Sequence, residues 1–189
     1  MEQKKEDLRV QKTKANIKET FLTLLETKSL HKLRVREILD NAKINRATFY
    51  KYYHDKYDLA AQCAAECIEA ITPFIDKRFN TQNNTQETQS TILSIYNYLQ
   101  ANRRTLLLLW ENEGDELHLY RDMEALLRKH CLIHINNTTI ENPEFKDYLA
   151  TLYASLVMTT IKWHLEQNSQ IDIQRLFSYV NTTVQNNLL

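Results

Sequence analysis

The sequence has 189 residues, 43% of them hydrophobic and 25% charged, which suits one or two compact domains with a real core. A single glycine, Gly114, and two prolines, Pro73 and Pro143, leave little material for tight turns and bulges, and exclude Gly-rich phosphate loops of the Walker or dinucleotide-binding kind. The expected class is all-α. The longest apolar run, Leu106 to Trp110, falls far short of the ~20 residues of a membrane span, and Met1–Asp7 lacks the apolar stretch of a signal peptide. Three cysteines, Cys63, Cys67 and Cys131, suggest no disulfide framework, so a cytoplasmic chain with no membrane partner is expected. The zero net charge hides an asymmetry. Residues 1–57 carry 14 Lys/Arg against 8 Asp/Glu, whereas residues 58–189 carry 10 against 16, so a basic segment (+6) joins an acidic body (−6). Such a division points to a polyanion at one end.

In chain order, the first helix is expected from about Gln11 to Thr27, with Ile17, Phe21, Leu24 and Leu25 on one face. A compact helix, Val35 to Ala42, follows. A third runs from Arg46 to Tyr53, with Asn45 as its N-cap, burying Phe49, Tyr52 and Tyr53. Asp55 then opens a long helix to about Arg78, which Pro73 should kink or end early. The tract 80–86 has no apolar residue and reads as a loop. Further helices are expected at about 87–102, 104–112, 116–135, 144–167 and 172–187.

Two short helices joined by a tight turn, the second cationic and aromatic on its outer face, make a DNA-reading helix-turn-helix. Arg46 suits bidentate donation to guanine, and the methyls of Ala47 and Thr48 suit a thymine methyl. Tyr50, Lys51 and Lys56 suit phosphate oxygens, which fix register without reading sequence. The run Val35-Arg36-Glu37-Ile38-Leu39-Asp40-Asn41-Ala42, Lys43-Ile44-Asn45-Arg46-Ala47-Thr48-Phe49-Tyr50-Lys51-Tyr52-Tyr53 and Asp55-Lys56 closely resembles the DNA-binding domain of the tetracycline-repressor (TetR/AcrR) family. The resemblance spans residues 10–60. It implies an all-helical homodimer with a three-helix DNA-binding domain, residues 1–56, and an effector-binding and dimerisation domain, residues 57–189. It also implies a transcriptional repressor that leaves a pseudo-palindromic double-stranded DNA site when a small molecule binds, with no enzymatic activity and no cofactor. Arg36, Asn45, Arg46, Ala47, Thr48, Tyr50, Lys51, Tyr52 and Lys56 form the expected DNA-contacting set. Lys43 stands where the family usually has glycine, at a cost of ~1–2 kcal/mol if that residue is left-handed.

In the body, the helix near 144–167 is apolar over more than one face, and the last helix is also rich in large apolar residues. Burying both suggests a two-fold dimer through Leu149, Leu152, Leu156, Trp163, Leu176, Phe177, Val180 and Val184. An effector pocket is expected among the middle helices, lined by Tyr96, Leu106, Leu109, Trp110, Met123, Leu127 and Tyr153. His130 and His134 share a helix face, but Cys131 stands where a zincin has glutamate, and two ligands are too few for a structural zinc, so no metal is expected. A protein partner acting in place of the small ligand is the alternative control.

Overall fold

A computed structural model describes residues 2–80, 85–114, 116–136 and 140–167, together with 175 and 179. Its helices are α1 (Glu2–Leu25), α2 (Val35–Ala42), α3 (Arg46–Tyr50), α4 (Lys56–Asn80), α5 (Thr85–Ala101), α6 (Arg103–Glu111), α7 (Leu119–Asn136) and α8 (Pro143–Gln167). Among the described residues the only β pairing is an isolated bridge between Gly114 and Leu117. The fold is all-α. No helix among these residues is long and apolar enough to cross a membrane. The helix expected over 172–187 lies outside the described residues, apart from positions 175 and 179.

The chain forms two compact units. One runs to Glu66 and takes in Leu108–Leu117; the other holds Cys67–Leu107 and the described residues from His118 onward. The division falls inside α4, one uninterrupted helix whose first turns belong to the N-terminal unit.

The N-terminal unit is organised by helix caps. The Arg34 N–H donates to the Glu37 carboxylate at 3.0 Å, and Lys28 pairs with the same side chain. The Lys28 hydrogen bond, then the Arg34 N–H, hold that carboxyl below the usual carboxylate range. Helix α2 ends in Lys43 at φ 55°, ψ 44°, whose N–H returns to the Leu39 carbonyl. The left-handed turn is therefore made by a lysine, at ~1–2 kcal/mol relative to glycine. Asn45 Oδ1 caps α3 by accepting from the Thr48 N–H at 2.7 Å and the Thr48 hydroxyl at 2.9 Å. Asp55 caps α4 by accepting from the Tyr57 and Asp58 N–H groups, each at 2.8 Å. Asp58 in turn accepts from the His54 N–H at 2.8 Å, which holds its carboxyl below the ordinary range. These reciprocal bonds satisfy donors that a helix start otherwise leaves open. Ile17, Phe21, Ile38, Phe49 and Leu59 are fully buried beneath them.

Two boundaries differ from the sequence expectation. Helix α1 begins at Glu2, since nothing before Gln11 breaks it. Helix α3 stops at Tyr50, not Tyr53, because the N–H groups of Tyr52 and Tyr53 both donate to the Phe49 carbonyl, at 2.9 and 3.0 Å. That shared acceptor tightens the chain into a turn and leaves the Tyr53 ring buried 5.5 Å from Phe49. Burial pushes the Tyr53 phenol up to about 12. The segment Leu108–Leu117 joins this unit through Asn112, whose Oδ1 accepts from the Leu30 N–H at 2.6 Å and whose Nδ2 donates to the Leu108 carbonyl at 2.8 Å.

In the second unit, Pro73 does not end α4, which continues to Asn80. Buried Ile71 and Ile75 flank the proline and anchor the helix on both sides of it. Helices α7 and α8 share a core of Cys131, Ile135, Leu149 and Ala150, and Arg128 of α7 bonds Asp147 and the Thr151 hydroxyl of α8. Leu149, expected at the dimer interface, is only 2% exposed inside this core. Arg103 Nε donates to the Leu165 carbonyl at 2.6 Å, tying the start of α6 to the end of α8.

Candidate nucleic-acid interface and body cavity

Helix α3 buries Phe49 and leaves Asn45, Arg46, Ala47, Tyr50 and Lys51 exposed. The Arg46 guanidinium lies 5.9 Å from the Tyr50 ring, which stands edge-on to Phe49. The Tyr52 ring has two ammonium neighbours, Lys51 at 5.6 Å and Lys14 of α1 at 5.5 Å. Among the described residues Lys14, Arg46 and Lys51 have no carboxylate in ion-pair range, unlike Lys18, paired with Glu66, and Arg36, 3.6 Å from Asp40. Unpaired cations around an aromatic platform on one face are what a phosphate backbone selects. Lys14 escaped the sequence reading because it sits 37 positions before Lys51, and only the packing of α1 against the turn after α3 joins them.

Three named residues have internal duties. Asn45 and Thr48 spend their side-chain oxygens on the α3 cap. Lys56 donates to the carbonyls of His31 at 2.7 Å and Leu33 at 2.8 Å, with its ammonium 4.8 Å from the Tyr57 ring. Two of its three N–H bonds therefore fix the α1–α2 loop, which leaves one for a phosphate.

The second unit encloses a cavity of about 40 Å³ between α4, α5, α7 and α8. Its walls are apolar, with Ile71, Ile75, Ile92, Met123, Val157 and Ile161 among them. Among the described lining residues Arg78 is the one that is charged, and Tyr153 the one that carries a hydroxyl. Burial raises the Tyr153 phenol above its ordinary value, with Arg78 opposing the shift. Phe79 closes one side, its ring 6.3 Å from His130, 6.1 Å from His134 and 5.9 Å from Tyr153. His130 Nδ1 lies 3.2 Å from the Asp76 carboxylate. Among the described residues no three His, Cys, Asp or Glu side chains are placed to hold a metal ion, and Cys63, Cys67 and Cys131 are all buried.

Residues 21–63 match the family model described as bacterial regulatory proteins, tetR family. The matched stretch contains the whole capped helix-turn-helix and, apart from Lys14, the face just described. Over this stretch the chain is similar to the DNA-binding domain of tetR-family regulators. A curated relative, an uncharacterised HTH-type transcriptional regulator YxbF of Bacillus subtilis strain 168, is 23% identical over 149 residues, 76% of this chain and 38% of its own length. The chain thus spans well under half of that relative. Among solved structures, a TetR transcriptional regulator from Streptococcus agalactiae 2603V superposes with a TM-score of 0.67 at 23% identity, covering 95% of this chain and 97% of that one. The dihydroxyacetone kinase operon activator DhaS gives 0.61 at 15% identity, covering 93% and 96%. A gamma-butyrolactone receptor gives 0.54 at 14% identity, covering 94% and 97%. At these identities the superpositions establish the fold shared with tetR-family regulators.

Of the residues the sequence proposed for an effector pocket, Met123, Leu127 and Tyr153 line the cavity. Tyr96 instead packs edge-on against His164 at 5.5 Å, and Leu106 is wholly buried. Leu109 and Trp110 belong to the N-terminal unit, drawn there with the Asn112 segment. Sequence reasoning passed over Arg78 and Phe79 because helical periodicity does not mark a charged residue beside an apolar stripe as lining. On the expected dimer face, Leu152 and Leu156 are half-buried in the single chain and Trp163 is 45% exposed. Leu176, Phe177, Val180 and Val184 lie outside the described residues.

Proposed function

We propose that this chain is a transcriptional regulator that binds a pseudo-palindromic DNA site as a homodimer, with α3 in the major groove, and that leaves the site when a small molecule enters the body cavity. The observation that carries DNA binding is the face of α3, where Arg46 and Lys51 stand exposed and unpaired, held by the Asn45 cap in the matched domain. Arg46 reads a base and Lys51, Tyr50 and Tyr52 hold phosphates. Repression is the simplest sense of control. A fold neighbour described as an operon activator keeps recruitment as the other sense, and one described as a gamma-butyrolactone receptor supports a small-molecule signal.

The test uses fluorescence anisotropy on DNA flanking the gene. Arg46→Ala is expected to weaken binding to the specific site by ~1–3 kcal/mol per half-site while leaving random DNA nearly unchanged. Equal losses on both would overturn its base-reading role. For the dimer, Trp163→Asp is expected to sediment as a folded monomer, since a charge buried in an apolar interface costs several kcal/mol. A second reading, control by a protein partner, is favoured by the small size of the cavity and by the exposed, stacked pair Phe145 and Tyr148 on α8. Loss of regulation on replacing both rings with serine, with ligand titrations unchanged, would select it.

A further inference from the structure

We propose that the body cavity takes an amphiphilic carboxylic acid, its carboxylate held by Arg78 and the Tyr153 hydroxyl and its hydrocarbon part among the isoleucines. This rests on the reading of the cavity as the control site and names the chemistry of the molecule that enters it. A guanidinium beside an apolar space is costly unless paired. Among the described residues Arg78 has neither an ion pair nor a hydrogen bond, and its ring contact is Phe79 at 5.8 Å. No carboxylate is among the described lining residues. The nearby acids are engaged elsewhere, Asp76 with His130, Glu124 with the Ser155 hydroxyl and Glu87 with Lys77.

The guanidinium fork matches a carboxylate bidentately. Tyr153, kept protonated by burial, offers an O–H to the same oxygens. A cation would meet the charge of Arg78, and a neutral molecule would leave that charge unpaired, so the site selects against both. The apolar remainder of the lining selects a hydrocarbon body in place of a sugar or nucleotide. At about 40 Å³ the cavity admits only a fragment of such a molecule, so one wall must give. Phe79 is that wall. It is half-buried, one residue from the end of α4, and held by ring contacts and by apolar packing on the α7–α8 core, while Met123, also in the lining, is unbranched and adaptable. Entry of the acid therefore moves Phe79 off His130 and His134.

The experiment is calorimetric titration of the full chain with octanoate and with octan-1-ol, which share a chain length and differ in charge. Octanoate is expected to bind at least about tenfold more tightly. Arg78→Leu is expected to bring the two within about twofold while preserving the affinity for octanol, which also reports that the cavity is intact. Arg78→Gln should behave like Arg78→Leu, and Arg78→Lys should retain part of the preference. Equal binding in the parent, a preference that survives Arg78→Leu, or failure to bind either molecule would overturn the proposal. Anisotropy with operator DNA separates this from the broader reading. Bound octanoate with unchanged DNA affinity removes control by this site and keeps the ligand class. Release by a neutral or cationic molecule from a protein that ignores octanoate does the reverse.

Discussion

The two units solve opposite problems. In the N-terminal unit three helix starts are closed by side-chain acceptors, Glu37, Asn45 and Asp55, and α3 rests on the fully buried ring of Phe49. The second unit has long helices around an apolar cavity and, among the described residues, a guanidinium on its wall without an ion pair and a buried histidine, His164, whose two ring nitrogens find no hydrogen-bond partner. A surface that reads base edges must hold its donors in one geometry, so its polar groups are spent on rigidity. A body that answers a ligand must have a second arrangement close in free energy, and incompletely satisfied groups leave room for one.

The contrast can be broken at four places. The largest effect is expected from Phe49→Ala, which should cost ~3–5 kcal/mol in stability and abolish DNA binding, whereas Ile71→Val at the cavity wall should cost only ~0.5–1.5 kcal/mol. Comparable losses in denaturant melts would show that the cavity region is packed as tightly as the helix-turn-helix. Next, Lys43→Gly should stabilise the chain by about 1 kcal/mol by relieving the left-handed turn, without changing operator sequence preference. A drop in thermal midpoint would mean that the Lys43 side chain contributes more than its backbone costs.

Lys14→Ala should weaken binding to specific and random DNA alike and lower the slope of log affinity against log salt by about one. Lys14→Arg should restore both, and an unchanged slope would remove Lys14 from the interface. The smallest effect concerns acid. Burial holds the His164 imidazole below its ordinary value of 6.5, so the unfolded chain takes up the proton first, and stability falls as pH drops through that value towards the folded one. His164→Phe keeps a ring against Tyr96 and should flatten the melting temperature between pH 7.5 and about 5.5. The lowered carboxyls of Glu37 and Asp58 contribute only at lower pH, where protonating them destabilises the fold. An equally steep curve in the variant would place the acid sensitivity elsewhere.

Local chemistry was legible in the sequence wherever one residue's side chain decides a backbone neighbour. Asn45 and Asp55 cap the helices they precede, and Lys43 takes the left-handed turn, because such bonds span two or three positions and need nothing distant. The all-α class followed equally directly from a chain with one glycine. The end of α3 did not, since only the burial of Tyr53 against Phe49 makes the chain turn early. Nor did the continuation of α4 through Pro73, where burial of Ile71 and Ile75 offsets the lost hydrogen bond. Trp110, Lys56 and Leu149 have the composition of a pocket residue, a phosphate contact and an interface residue. Tertiary packing adds engagements that composition does not announce, through an Asn112–Leu30 bond that draws in the segment of Trp110, two loop carbonyls that take two of the three Lys56 N–H bonds, and the α7–α8 core around Leu149. The sequence by itself determined the helices, the caps and the cationic, aromatic character of the exposed α3 face, because those depend on neighbours along the chain. Which lysine stands beside Tyr52 and which arginine faces the cavity were decided by helices meeting across tens of residues, and no periodicity within one helix contains that information.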